Sequence, residues 1–148
     1  MTLDRYPIVS GESGMVYEFT STGKKGMIKK LVVFSKTNVK GVYNLGFGDK
    51  DELTGDINDL TITNNGDSQK VLATVASTIY SFTDIYTDAY IFATGSTKAR
   101  NRLYRIGIAN NYSLIQKDFE VFGLQGEKWH PFDKSLEFDA FLVKRKKK

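Results

Sequence analysis

The chain has 148 residues, 41% of them hydrophobic and 26% charged, with no cysteine and one histidine. A length of this order suits one domain that buries roughly 70% of its unfolded surface without a covalent staple. The lack of cysteine excludes disulfides, thiolate metal sites and a cysteine nucleophile together. The formal charge of +4 resides in the last five residues, KRKKK at 144–148; without them 16 basic side chains face 17 acidic ones. The expected organisation is one near-neutral domain over 1–143 and a basic, disordered tail over 144–148. A run of like charge repels itself into solvent, where it can also grip phosphates without specificity. The opening MTLDRYPIVSG and every later apolar run are too short for a signal peptide or a membrane span. The expected location is therefore the cytoplasm.

The first half of the chain reads as strands. MVYEFT at 15–20 alternates, with Tyr17 and Phe19 on one side and Glu18 and Thr20 on the other. The polar, glycine-bounded STGKKG follows as a hairpin turn. A second strand is expected over 27–34, and a third over 42–47 with Tyr43, Leu45 and Phe47 on one face. A fourth spans 57–63, with Leu60 and Ile62 in phase. Asn64, Asn65, Gly66 and Asp67 then supply turn chemistry and a helix cap. Val71, Val75, Ile79, Phe82 and Tyr86 recur at helical spacing, widened by Leu72 and Ala76, and predict a helix over 67–86. A short strand over 89–94, a helix over 97–108 and late strands over 119–123 and 138–143 complete the chain. Between the late strands Trp129, His130 and Phe132 read as a packed aromatic corner, where Pro131 limits pairing. The order β-β-β-β-α-β-α-β-β predicts an α+β fold, a mainly antiparallel sheet carrying two helices.

One stretch points to chemistry. ATGSTKARNRLYRIG leaves a strand, passes Gly95, Ser96 and Thr97, and enters a helix with four basic residues in eight positions. The first N–H groups of a helix lack partners and its dipole is positive at that end, so anions are favoured there. Gly95 would admit a phosphate, and Ser96 and Thr97 would donate hydroxyls. At 100° per residue Lys98, Arg102 and Arg105 fall within about 60° of one another, beside an apolar face of Ala99, Leu103 and Ile106. The predicted anion site is therefore Gly95, Ser96, Thr97, Lys98, Arg102 and Arg105. In the opposite case Arg102 would pair with a buried acid such as Asp59 or Glu120.

Other motifs carry less. The acidic stretch from Asp49 to Asp59 fails the spacing of a calcium loop, because its glycine falls at position seven and Leu60 at twelve. A solvated hairpin loop is expected instead. A lone His130 without cysteine makes no zinc site, and no metal site is expected. There is no nucleophile elbow, phosphate loop or dinucleotide fingerprint.

Two resemblances extend this picture. NNGDSQKVLATVASTIYSF followed by GSTKARNRLYRIGI resembles an uncharacterised bacterial family of small single-domain proteins, from about YEFTSTGKKGMIKKLVVFS through FEVFG. That resemblance implies a fold and no established activity. The order from Leu60 to Ile108 is also similar to the cofactor half of the GCN5-related acyltransferases. Ser96, Ala99, Leu103, Tyr104, Gly107 and Ile108 stand near that family's N-x-x-A-x-x-L-Y-x-x-x-G-F positions, which would make Tyr104 a general acid. The spacing from Ala99 to Leu103 is one residue too long, and that from Leu103-Tyr104 to Gly107 one too short. The family's R/Q-x-x-G-x-G/A loop is replaced by NNGDSQ, where Asp67 would repel pyrophosphate. The sequence thus favours a non-catalytic binding or regulatory module with no cofactor, whose partner is a phosphate-bearing ligand or a nucleic acid. A diverged acyltransferase-like enzyme and a protein-interaction domain are the alternatives.

Overall fold

The computed structural model describes residues 4–58, 63–95 and 97–147. Its elements are β1 (Val9–Ser10), β2 (Val16–Gly23), β3 (Gly26–Lys36), β4 (Val42–Lys50), β5 (Ile57–Asn58), α1 (Ser68–Ile85), β6 (Tyr90–Ala93), α2 (Lys98–Asn110), α3 (Tyr112–Asp118), β7 (Phe119–Gln125), β8 (Lys128–Pro131) and β9 (Ala140–Arg145). The fold is α+β, with mostly antiparallel strands and helices packed on them. The exception is β4 beside β6, which pair in parallel. Parallel neighbours need a long crossover, and the chain between them holds β5 and α1. The described residues form two compact units, 4–35 with 46–85 and 36–45 with 86–147.

In the first unit the strand order is β1-β2-β3-β4, with β5 also on β4. The β2–β3 hairpin runs in register from Val16 opposite Val33 to Gly23 opposite Gly26. Period-two alternation turns Tyr17, Phe19, Val32, Phe34 and Phe47 inward, and all are buried. Helix α1 meets that face, stacking Phe82 on Phe34 with ring centroids 4.1 Å apart. Full burial of a side chain of this size contributes about 1.5–3 kcal/mol. The predicted stripe on α1 is wider than the apolar pattern showed, because Thr74, Ser77, Thr78 and Thr83 are buried as well. Their hydroxyls donate to carbonyls three or four residues back in the helix, which satisfies them internally.

In the second unit the order is β4-β6-β9-β7-β8. Its core is aromatic: Phe132 lies 5.8 Å from Phe138 and 6.2 Å from Phe141. Gly123 makes this possible, since a side-chain carbon there would collide with the Phe138 ring.

Several elements differ from the sequence pattern. The short β1 was not expected, nor was α3, whose seven residues are nowhere fully buried and so show no apolar stripe. The aromatic corner contains a strand, β8. Pro131 ends it at the sheet margin, where a missing N–H costs least. Trp129 is not packed there but 41% exposed. The fourth predicted strand is β5, of two residues; Asp59, Leu60 and Ile62 lie outside the described residues. The basic run does not begin as a free tail. Lys144 and Arg145 belong to β9, opposite Glu120 and Phe119, because the β7 partner strand extends that far.

Candidate functional site

The predicted anion site lies at the start of α2. Thr97 is the N-cap, and its hydroxyl accepts the N–H of Arg100 at 3.2 Å. A side-chain carbon on Gly95 would strike the backbone of Arg100 and Asn101. The first turn of the helix therefore occupies the space that glycine leaves open. The Gly95 N–H donates to Asn101 Oδ1, while Asn101 Nδ2 donates to the Phe138 carbonyl. Gly95 and Thr97 thus close the helix start on itself, and Asn101 fastens it to the aromatic core. Ser96 lies outside the described residues.

The side chains of α2 divide differently. Its buried residues are Tyr104 and Gly107, whereas Ala99 and Ile106 of the expected apolar face are exposed. The packed face is therefore that of Gly107 and of the one aromatic ring, Tyr104. On a wheel of 100° per residue, Lys98, Arg102 and Arg105 stand on the side away from it. Lys98 and Arg102 are exposed and Arg105 is half-buried. No ion pair among the described residues involves any of the three. Glu120 is exposed and does not hold Arg102. Cations in the first turn of a helix oppose its dipole, typically by some tenths of a kcal/mol, so Lys98 and Arg100 are not placed there for helix stability. Tyr104 is a poor proton donor. Burial pushes its phenol up to about 12, against a smaller opposing effect of Arg100.

Charge is unevenly shared between the units. Residues 36–45 and 86–148 carry 14 basic and seven acidic side chains, net +7, while 1–35 and 46–85 carry seven basic and ten acidic, net −3. Five of the second unit's positive charges belong to 144–148; without them it carries nine basic and seven acidic side chains, net +2. Lys144 Nζ is buried, 4.0 Å from Asp88 and over the Tyr90 ring. Lys147 pairs with Asp88 at 2.9 Å, and that hydrogen bond holds the Asp88 carboxyl below its ordinary value.

A family model described as a family of unknown function, DUF6934, matches residues 2–146. The chain belongs to the DUF6934 family. No curated protein and no solved structure matches it, so the acyltransferase likeness gains no support.

This DUF6934 chain also contains a polar cluster that the sequence pattern did not reveal. Lys30 is 1% exposed. It pairs with Asp49 at 2.5 Å and donates to the Thr63 carbonyl. Asp49 Oδ2 accepts from the Thr63 N–H and hydroxyl. Asp49 had been grouped with a solvated loop; the loop proper is held by Asp51, whose Oδ1 accepts the N–H groups of Leu53 and Thr54. Nearby, Asp67 Oδ2 accepts the hydroxyls of Tyr6 and Ser21, each at 2.5 Å. Asn65 is 1% exposed. Its Oδ1 accepts the Lys25 N–H, and its Nδ2 donates to the Gly26 carbonyl and to Ser21. Asn64 and Gly66 perform the expected turn chemistry, Asn64 accepting the Gly66 N–H and Gly66 adopting a positive φ of 78°. The clue lay in strand phase. Lys30 is in step with Val32 and Phe34, and Asp49 with Leu45 and Phe47, so period two turns both charges inward. Ser21 is fully buried and every member has a protein partner, so the cluster serves folding. Among the described residues no group of three metal-ligating side chains occurs. No helix there is long and apolar enough to cross a membrane.

Proposed function

We propose that the chain is a non-catalytic binding module whose second unit holds a polyanion, the phosphate backbone of a nucleic acid, through Lys98, Arg102 and Arg105. The supporting observation is that these three cations share the outward side of α2 with no ion pair among the described residues, in the unit that holds the positive charge. A solvated basic face binds phosphates by releasing their condensed counterions. Gly95 and Thr97 act in this proposal by fixing the helix, and the contacts are side-chain contacts spread along one face. That suits an extended backbone better than a single small nucleotide.

The test is binding of a short labelled duplex across a range of salt. Each phosphate neutralised adds about 0.9 to the slope of log K against log salt. The variant with Lys98, Arg102 and Arg105 all changed to Ala should bind more weakly and lower that slope by about 3. Equal affinity and an equal slope would remove α2 from the site.

A further inference from the structure

The outer face of the second unit's sheet is apolar and carries neither of that unit's helices. Residues paired across strands share a face. The registers therefore place Tyr90 beside Lys144, Phe92 beside Leu142 and Phe122, and Trp129 in the next row with Leu124. Tyr90 and Trp129 are 39% and 41% exposed; Phe92, Phe122 and Leu142 are half-buried. The Phe92 and Trp129 rings meet edge-on at 6.1 Å. Helix α3 is on the other face, where Tyr112 packs on Phe132, and α2 is tied there through Asn101 and Phe138. A solvated sheet face is ordinarily polar, and a continuous apolar one marks a contact surface.

We propose that this face is a stacking platform for unpaired bases of a single-stranded nucleic acid. Aromatic rings accept any base by its flat face, and rings are accessible at both ends of the surface. Tyr90 on β6 and Trp129 on β8 are three strand spacings apart. At about 4.8 Å per spacing their backbones are roughly 14 Å apart, and the Trp129 ring leans across that span to meet Phe92, so bases would stack on a joined ring surface. Charge selects this occupant over a second copy of the chain. The basic run 144–148 begins beside Tyr90, so two copies brought together through this face set these runs against each other, whereas a polyanion is drawn in. The exposed Lys147 is available to the phosphates, while the Lys144 ammonium is buried over the Tyr90 ring. Asp88 is already paired with them, and Glu120, opposite Lys144, is the acid a strand must pass. The proposal shares with the preceding one the ligand class but uses the opposite face of the unit.

Trp129 is the only tryptophan, so fluorescence of the full chain reports on this face alone. Titration with an oligothymidylate of about ten nucleotides should quench it saturably, and a duplex should not. Trp129→Ala should weaken binding of the labelled single strand about tenfold to a hundredfold, Trp129→Phe should restore most of it, and duplex binding should be unchanged in both. Thermal melts confirm folding of each variant, which the exposure of Trp129 favours. Changing Lys98, Arg102 and Arg105 to Ala tests the other face, and should leave the quenching at saturation intact. Absence of quenching, or unchanged single-strand affinity of Trp129→Ala, overturns the proposal. So does a concentration-dependent blue shift with a dimer mass in the absence of nucleic acid, which would assign the face to a second copy.

Discussion

The two units differ in where they place charge and rings. In the first unit the outer sheet face mixes Lys50, paired with Glu18 at 2.6 Å, Thr20 and Thr22 with Val16, Val33 and the exposed Met27. Its buried charges, Lys30 and Asp49, are paired inside and hydrogen-bonded to Thr63. In the second unit the outer sheet face is aromatic and half-exposed, and Lys98, Arg102 and Arg105 of α2 have no ion pair among the described residues. A unit whose polar groups satisfy one another has its interactions turned inward. A unit that leaves rings and cations unmatched has surface to offer a partner.

The largest effect is expected in the first unit. Asp49→Ala leaves the Lys30 ammonium buried without its counter-ion, which typically costs about 3–5 kcal/mol. Denaturant unfolding measures it. A loss below about 1 kcal/mol would mean that the pair is not structural and would blur the contrast between the units. The next effect belongs to the end of β9. Removing 144–148 takes away two strand residues, including Lys144 against Tyr90, and should lower the melting temperature by several degrees, about 1 kcal/mol or more. Removing only 146–148 loses the Lys146 N–H to Asp118 carbonyl bond and the Lys147–Asp88 pair, and should lower it less. Equal effects would return Lys144 and Arg145 to a free tail.

These two predictions rest on residues whose roles were unequally legible. Strand phase announces Tyr17, Phe19, Val32 and Phe34 because apolar side chains repeat at period two. The same phase carries Lys30 and Asp49, but charged residues are rarely buried, and the apolar pattern does not say which side chains of the consecutive strands β3 and β4 meet. Helix α1 was legible from its stripe, whereas α3 has no buried side to repeat. In α2 the basic residues were visible, and Thr97 was visible as a cap. Which side packs was not, since Gly107 and Asn101, rather than Ala99 and Ile106, set it. The charge division was legible, since 86–148 alone carries 12 basic and seven acidic side chains; that 36–45 joins it with Lys36 and Lys40 was not.

A smaller effect separates structure from chemistry in α2. The Tyr104 phenol is raised from 10.0 to about 12 by burial. A phenol raised on folding stays protonated while the unfolded chain ionises, so its contribution is intact below pH 10 and is lost as pH rises toward 12. Tyr104→Phe should therefore lose less stability than the parent chain over that window in melts at stepped pH. Identical pH profiles would mean that the phenol is solvated. In neither case is it suited to acid catalysis at neutral pH.

The division of labour between the units is tested most directly by amide chemical-shift mapping of the full chain titrated with a short single-stranded oligonucleotide. The account predicts shifts confined to 36–45 and 86–147, strongest along α2 and around Tyr90 and Trp129, with the Lys30, Asn65 and Asp67 amides unmoved. Shifts centred on Asn65 and Asp67, with α2 and Trp129 silent, would contradict it.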